Sequence, residues 1–165
     1  MSSTNRLYSN LKFLRFTEPL DAWRDRRVAA PVHVRIKPIN RCNHNCWYCA
    51  YRFDGLRLGE DMVEADVIPA AKMEEIADDL IAIGVNAVTF SGGRDPLNYN
   101  PIADTVARLA AGGIKVATLT TGVTPKRRVA DPFAAHGSWV RPSLPASDHP
   151  NYRPARRPRA GAFDQ

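Results

Sequence analysis

Long hydrophobic runs are missing from this 165-residue chain. None approaches the roughly 18 apolar positions that a membrane-spanning helix requires, so no membrane partner is expected. Residues 1–16 also lack the continuous apolar core and the small-residue cleavage site of a secretory signal. The expected location is therefore the cytoplasm. Cysteine is scarce, with three residues in all, every one between positions 42 and 49. An odd number in one tight group excludes a disulfide framework, and in a reducing compartment such a group points to a metal site. Acidic residues are outnumbered, leaving a net charge of +6. The excess crowds the last third, in Lys126, Arg127, Arg128, Arg141, Arg153, Arg156, Arg157 and Arg159. Those cations lack the regular interleaving of aromatic rings that makes a stacking platform for bases. This argues against a nucleic-acid partner, and the basic end reads as a solvated tail.

What remains is the composition of a globular domain, 44% hydrophobic and 24% charged, with length enough for one core. Leu11, Leu14, Leu20 and Trp23 fall at roughly helical spacing in a short lead-in. Pro31 then opens a strand over 32–37, in which Val32, Val34 and Ile36 alternate with polar residues, so one face is buried. Pro38 ends it, and a long loop carrying the cysteines runs to about Pro69. Over 70–83, Met73, Ile76, Ala77, Leu80 and Ile83 form one apolar stripe of a helix, closed by Gly84. Further strands are expected at 87–90, 114–119 and 138–144, and further helices at 102–111 and, more weakly, 126–135. This alternation of strand and helix implies parallel strands joined by right-handed crossovers. In such sheets ligands bind at the carboxyl ends of the strands. The cysteine loop, the turn Ser91-Gly92-Gly93 and the turn Thr121-Gly122 all fall at such ends.

The loop places Cys42, Cys46 and Cys49 in a C-x3-C-x2-C pattern. Three thiolates so close in sequence can converge on one centre, and soft thiolates select zinc, copper(I) or an iron–sulfur cluster. Three ligands suit a cubane with one iron left open for a small molecule. Structural zinc wants four ligands, for which His44 or His33 is the candidate fourth. A third reading is three buried cysteines without metal.

The segment resembles the signature of the radical S-adenosylmethionine (SAM) superfamily, in which these three cysteines follow the first barrel strand and an aromatic residue, here Tyr48, precedes the last. A second stretch, Val88 to Leu97 with Gly92-Gly93-Arg94-Asp95-Pro96 inside it, is similar to the family's glycine-glycine-glutamate-proline motif at the end of strand 2. The resemblance covers roughly residues 10–165, and its nearest flavour is the molybdenum-cofactor GTP cyclase and peptide-maturase branch. It implies an α/β fold, a partial (β/α) barrel of about four βα units. It implies that Cys42, Cys46 and Cys49 hold a [4Fe–4S] cluster, and that SAM contacts come from Tyr48, Gly92, Gly93 and Asp95, with Thr121 and Ser143 behind them. It also implies reductive cleavage of SAM to a 5′-deoxyadenosyl radical that takes hydrogen from a small-molecule or peptide substrate, with flavodoxin or ferredoxin as electron donor. No catalytic residue beyond these is identified.

Three departures stand against the family pattern. Arg94-Asp95 replaces glycine-glutamate, Thr121 replaces an asparagine, and Pro145 stands where the fourth strand carries an acid, with Pro142 inside that strand. About two of the usual six barrel units are absent. The expected organisation is a lead-in over 1–30, a partial core over 31–147, and a basic tail over 148–165 that starts a further helix or is disordered. The rival functions are a non-catalytic cluster-binding remnant and a small zinc module that contacts nucleic acid through its basic tail.

Overall fold

A computed structural model of the chain describes residues 10–51, 58–122, 127–147 and 149–157. Expectations for 1–9 and 158–165, the ends of the lead-in and of the basic tail, lie outside the described residues. Strand β1 (His33–Ile36) is followed by α2 (Ala70–Ala82), β2 (Ala87–Phe90), α3 (Ile102–Ala111), β3 (Lys115–Thr120), α4 (Arg127–His136) and β4 (Gly137–Pro142). Helix α1 (Thr17–Arg24) precedes them and α5 (His149–Arg156) follows. The strands form one four-stranded sheet in the order β1-β2-β3-β4, every pair parallel. This is the α/β architecture of a partial (β/α) barrel.

The two faces of the sheet differ because strand residues alternate between them. Ile36, Val88, Phe90 and Val116 join Met73, Ala77 and Leu80 of α2, Ile102, Val106 and Leu109 of α3, and Val129 and Phe133 of α4 in one core. These are the positions at which the helical stripe and the strand alternation coincide. On the opposite face the registers bring Arg35, Thr89, Ala117 and Trp139 into one row across the four strands. His33 and Thr89 share a 2.8 Å hydrogen bond there. The register of β3 against β4 shifts between Val116 and Ala117, so Ser138 is the extra residue. Strand β4 is an edge, and Pro142 closes it, where a missing ladder donor costs least. Trp139, Val140 and Leu144 are exposed along it.

Helix α5 has poor intrinsic propensity, with Pro154 inside its eight residues. Tertiary contacts, described below, hold it instead. No helix among the described residues is long and apolar enough to cross a membrane.

Leu109 of α3 is 0% exposed in the centre of the core. Leu109→Ala is expected to lower unfolding stability by about 2–5 kcal/mol, as burial lost plus a cavity, read as a lower urea midpoint at unchanged slope.

Candidate cofactor site at the carboxyl rim of the sheet

The cysteine loop follows β1, the Gly92-Gly93 turn follows β2, Thr121 follows β3 and Ser143 follows β4. Parallel strands put all four at one rim. What ties them together is Asp95. Its carboxylate is 2% exposed and accepts hydrogen bonds from the Leu97 amide at 3.1 Å, the Thr120 hydroxyl at 3.0 Å, and both the amide (3.0 Å) and the hydroxyl of Thr121. A buried carboxylate is costly unless its lone pairs are filled, and four donors fill them. Asp95, expected among the SAM contacts, is thus turned inward. It locks the end of β2 to the end of β3. Thr121 is used the same way, so its lack of an asparagine amide is met by a structural bond to Asp95.

The network continues into the cysteine loop. The Thr121 hydroxyl also lies 3.3 Å from Asn43 Oδ1. Asn43 Oδ1 in turn faces His44 Nδ1 at 2.8 Å, and the His44 amide donates to Cys42 Sγ at 3.4 Å. The Gly-Gly turn nests against the same loop. Gly92 and Gly93 have φ of +86° and +65°, a region that residues with a Cβ avoid. Space forbids a side chain as well. A Cβ on Gly92 would stand 2.9 Å from both Lys37 Cε and Tyr51 Oη, and one on Gly93 would stand 3.0 Å from Asn40 Oδ1. The next residue, Arg94, carries Nε and Nη1 buried without a hydrogen-bond partner.

From the other side the loop is held by α5. Arg156 is 2% exposed. Its Nη2 donates to the carbonyls of Ser143 and, at 3.4 Å, of Thr121, and its Nη1 lies 3.9 Å from Cys46 Sγ. The Asn45 amide donates to the carbonyls of Arg156 and Arg157 at 3.1 and 3.0 Å. The expectation of a solvated basic end therefore fails at Arg156, which is interior and sits against a cysteine.

His44 is 1% exposed. Besides Asn43, it meets Tyr152 through a 3.5 Å contact between Nε2 and the tyrosine Oη, with the rings edge to face at 6.2 Å. Burial first, then the charge of Arg156, pushes its pKa down and keeps the ring neutral. The His44 ring is thus held at Nδ1 by Asn43 and contacted at Nε2 by Tyr152. His33 stands at the opposite, amino end of β1 and is bonded to Thr89. Among the described residues no three His, Cys, Asp or Glu side chains gather tightly enough to hold a single metal ion.

Cys42, Cys46 and Cys49 are not in disulfides and are all partly exposed. Burial is the main cause that raises the Cys42 pKa, opposed by the His44 amide, with the charges of Asp95 and Cys46 raising it further. Tyr48 is half-exposed, and Trp47 stacks edge-on to it at 5.7 Å. Its phenol is pushed up to about 12, by partial burial first and then by the Cys46 side chain; the Ser143 side chain opposes the shift. Ser143 donates its amide to the Thr120 carbonyl at 2.9 Å. The rim of this parallel α/β half-barrel thus carries three thiols, a left-handed glycine pair and a buried cation.

Residues 36–165 match the Radical SAM superfamily, and the chain belongs to it. Members of this superfamily are typically enzymes that use SAM and an iron–sulfur cluster. Among solved structures, SuiB of Streptococcus suis bound to its precursor peptide SuiA superposes with a TM-score of 0.66 at 19% identity, covering 87% of this chain and 31% of SuiB. SuiB bound to S-adenosylmethionine gives 0.66 at 18%, covering 92% and 35%. BtrN in complex with AdoMet and 2-DOIA gives 0.53 at 14%, covering 82% and 54%. The chain thus spans about a third of the length of SuiB. No match emerges among curated proteins.

Asn43, Asp95 in its inward role, and Arg156 are the rim residues that sequence reasoning missed. The only signal for Arg156 is its spacing of four from Tyr152 on one short helix. Asp95→Asn, which turns one acceptor oxygen into a donor facing other donors, is expected to cost about 2–3 kcal/mol. Urea unfolding reads the loss, and amide exchange should rise at Thr121 and Leu97 before it rises in the core.

Proposed function

We propose that this chain is the core of a radical SAM enzyme in which Cys42, Cys46 and Cys49 hold a [4Fe–4S] cluster and SAM lies along the rim between Tyr48 and the Gly92-Gly93 turn. The observation that carries the reading is the convergence of the cysteine loop, the glycine turn and Thr121 on the Asp95 network. The donor set suits the group. Three thiols outside disulfides share one loop, and the Arg156 guanidinium lies 3.9 Å from Cys46 Sγ. When bound, the reduced cluster supplies one electron that breaks the S–C5′ bond of SAM, giving methionine and the 5′-deoxyadenosyl radical that abstracts hydrogen from substrate.

The chain's own residues bind and orient. Gly92 and Gly93, lacking side chains, let the backbone approach the methionine moiety closely. Tyr48, whose phenol interacts with the Cys46 and Ser143 side chains, supplies an aromatic ring for adenine. Ser143 is anchored at both backbone groups by Thr120 and Arg156, which fixes the end of β4 against Tyr48. Asp95 and Thr121 hold this frame. The electron donor is proposed to be a small carrier of the flavodoxin or ferredoxin kind.

Anaerobic reconstitution with iron and sulfide should give a brown protein with about four irons per chain and an EPR signal after dithionite. Replacing any one of Cys42, Cys46 or Cys49 with Ala should abolish both, and SAM plus dithionite should yield 5′-deoxyadenosine only with the intact triplet. Stoichiometric zinc without iron would overturn the reading.

A further inference from the structure

We infer that Arg156 sets how readily the cluster takes up its electron, because its guanidinium is fixed against Cys46 and stabilises the added negative charge of the reduced state. The inference deepens the radical SAM reading and rests on it for the cluster. Arg156 acts through a ligand sulfur, so it is a positioning residue.

A guanidinium stays charged at every working pH. Burying one is costly unless anions or acceptors surround it. Arg156 is 2% exposed. Its Nη2 donates to the carbonyls of Ser143 and Thr121, and the Tyr152 ring centre lies 5.6 Å from its Cζ. Its Nε is buried without a hydrogen-bond partner. No carboxylate forms an ion pair with Arg156 among the described residues. The contrast with the helical side is chemical, since Arg108 and Lys72 are each paired there, with Asp78 at 2.6 Å and Glu75 at 2.6 Å. The remaining contact of Arg156 is Nη1 to Cys46 Sγ at 3.9 Å. Of these contacts, Cys46 is the one that becomes an anion on ligating a metal centre.

The pair is held at two levels. The Asn45 amide, next to Cys46, donates to the backbone carbonyls of Arg156 and Arg157 at 3.1 and 3.0 Å. Main chain therefore fastens the end of α5 to the cysteine loop, and the two carbonyl bonds of Nη2 aim the guanidinium. A planar fork can serve two carbonyls and a sulfur at once, whereas an ammonium keeps the charge without that geometry.

The sign of the effect follows from charge. A doubly positive [4Fe–4S] core held by three thiolates carries one net negative charge, and reduction adds a second. A fixed cation at a ligand sulfur favours the more negative state. Hydrogen bonding to the sulfurs and local net charge are among the levers that set such potentials. With Arg156 in place the potential is less negative, so a small carrier delivers its electron more readily. Arg153 and Arg157 on the same segment are exposed, and water and salt screen their charges.

The test is a potentiometric titration of the anaerobically reconstituted chain without SAM, read by the EPR signal of the reduced cluster. Arg156→Gln keeps an amide donor for the carbonyls and removes the charge. Its midpoint potential is expected to fall by about 59 mV, a tenfold less favourable one-electron reduction. Arg156→Lys should stay near the wild-type value, and Arg153→Gln should match it. Equal potentials in wild type and Arg156→Gln would overturn the inference and leave the cluster reading intact. An equal fall in Arg153→Gln would overturn it too, since overall charge and not the contact would then set the value. If Arg156→Gln takes up no cluster, Arg156→Lys decides. Loading at the wild-type potential upholds the role of the charge, and loss of loading in both makes Arg156 a clamp alone and overturns the inference. Absence of an iron–sulfur cluster from the wild type would remove the radical SAM reading and this inference with it, an outcome distinct from equal potentials.

Discussion

The buried carboxylate of Asp95 is the constraint on which the rim depends. A carboxylate 2% exposed is tolerated only with its oxygens filled. Here the donors come from the turn of Asp95 itself, through Leu97, and from the end of β3, through Thr120 and Thr121. Filling them fixes the distance between two strand ends. Thr121 then reaches Asn43, so the geometry of β2 and β3 is handed to the cysteine loop. Arg156 closes the arrangement from outside, bridging the carbonyls after β3 and β4 and reaching Cys46. In this frame the loop bearing the thiols is a clamped segment, in contact with Thr121 through Asn43 on one side and bonded through Asn45 on the other.

Elements with local periodicity were legible in the sequence. Met73, Ala77 and Leu80 announce the buried stripe of α2, and Val34 with Ile36 announces the inner face of β1; the structure has both. The order of elements, with the parallel sheet it implies, was legible for the same reason. The frame of the rim was not. Asp95 meets Thr120 across 25 positions, Thr121 meets Asn43 across 78, and Arg156 meets Cys46 across 110. Such pairs leave no periodic trace, and only the fold brings them together. A motif comparison also assigns Asp95 by position, as the shortened form of a family glutamate. Position alone cannot tell a carboxylate that faces a ligand from one that faces two threonines. The basic tail misled in the same way, because composition treats Arg156 like Arg153, and only packing separates a buried cation from an exposed one.

The sheet divides its labour by face. The helical side carries the apolar core and therefore the stability. The other side is polar and cationic, with the rim at its edge. This separation lets one set of strands hold a fold and present a polar, cationic surface, since strand alternation assigns each residue to one face. Departures from the family pattern then fall into place physically. Asp95 and Thr121 form a pair, the short acid bonded directly to the hydroxyl and amide of the threonine.

The central claim is that the Asp95 frame aligns the cysteine loop with the glycine turn so that one SAM molecule meets both. The direct measurement is electron–nuclear double resonance on the reduced, reconstituted protein, with SAM carrying nitrogen-15 in its methionine amino group. The account predicts a nitrogen coupling to the cluster in the wild type, and its loss in Asp95→Asn with the cluster signal retained. A cluster signal without nitrogen coupling in the wild type, or the same coupling in both proteins, would contradict it.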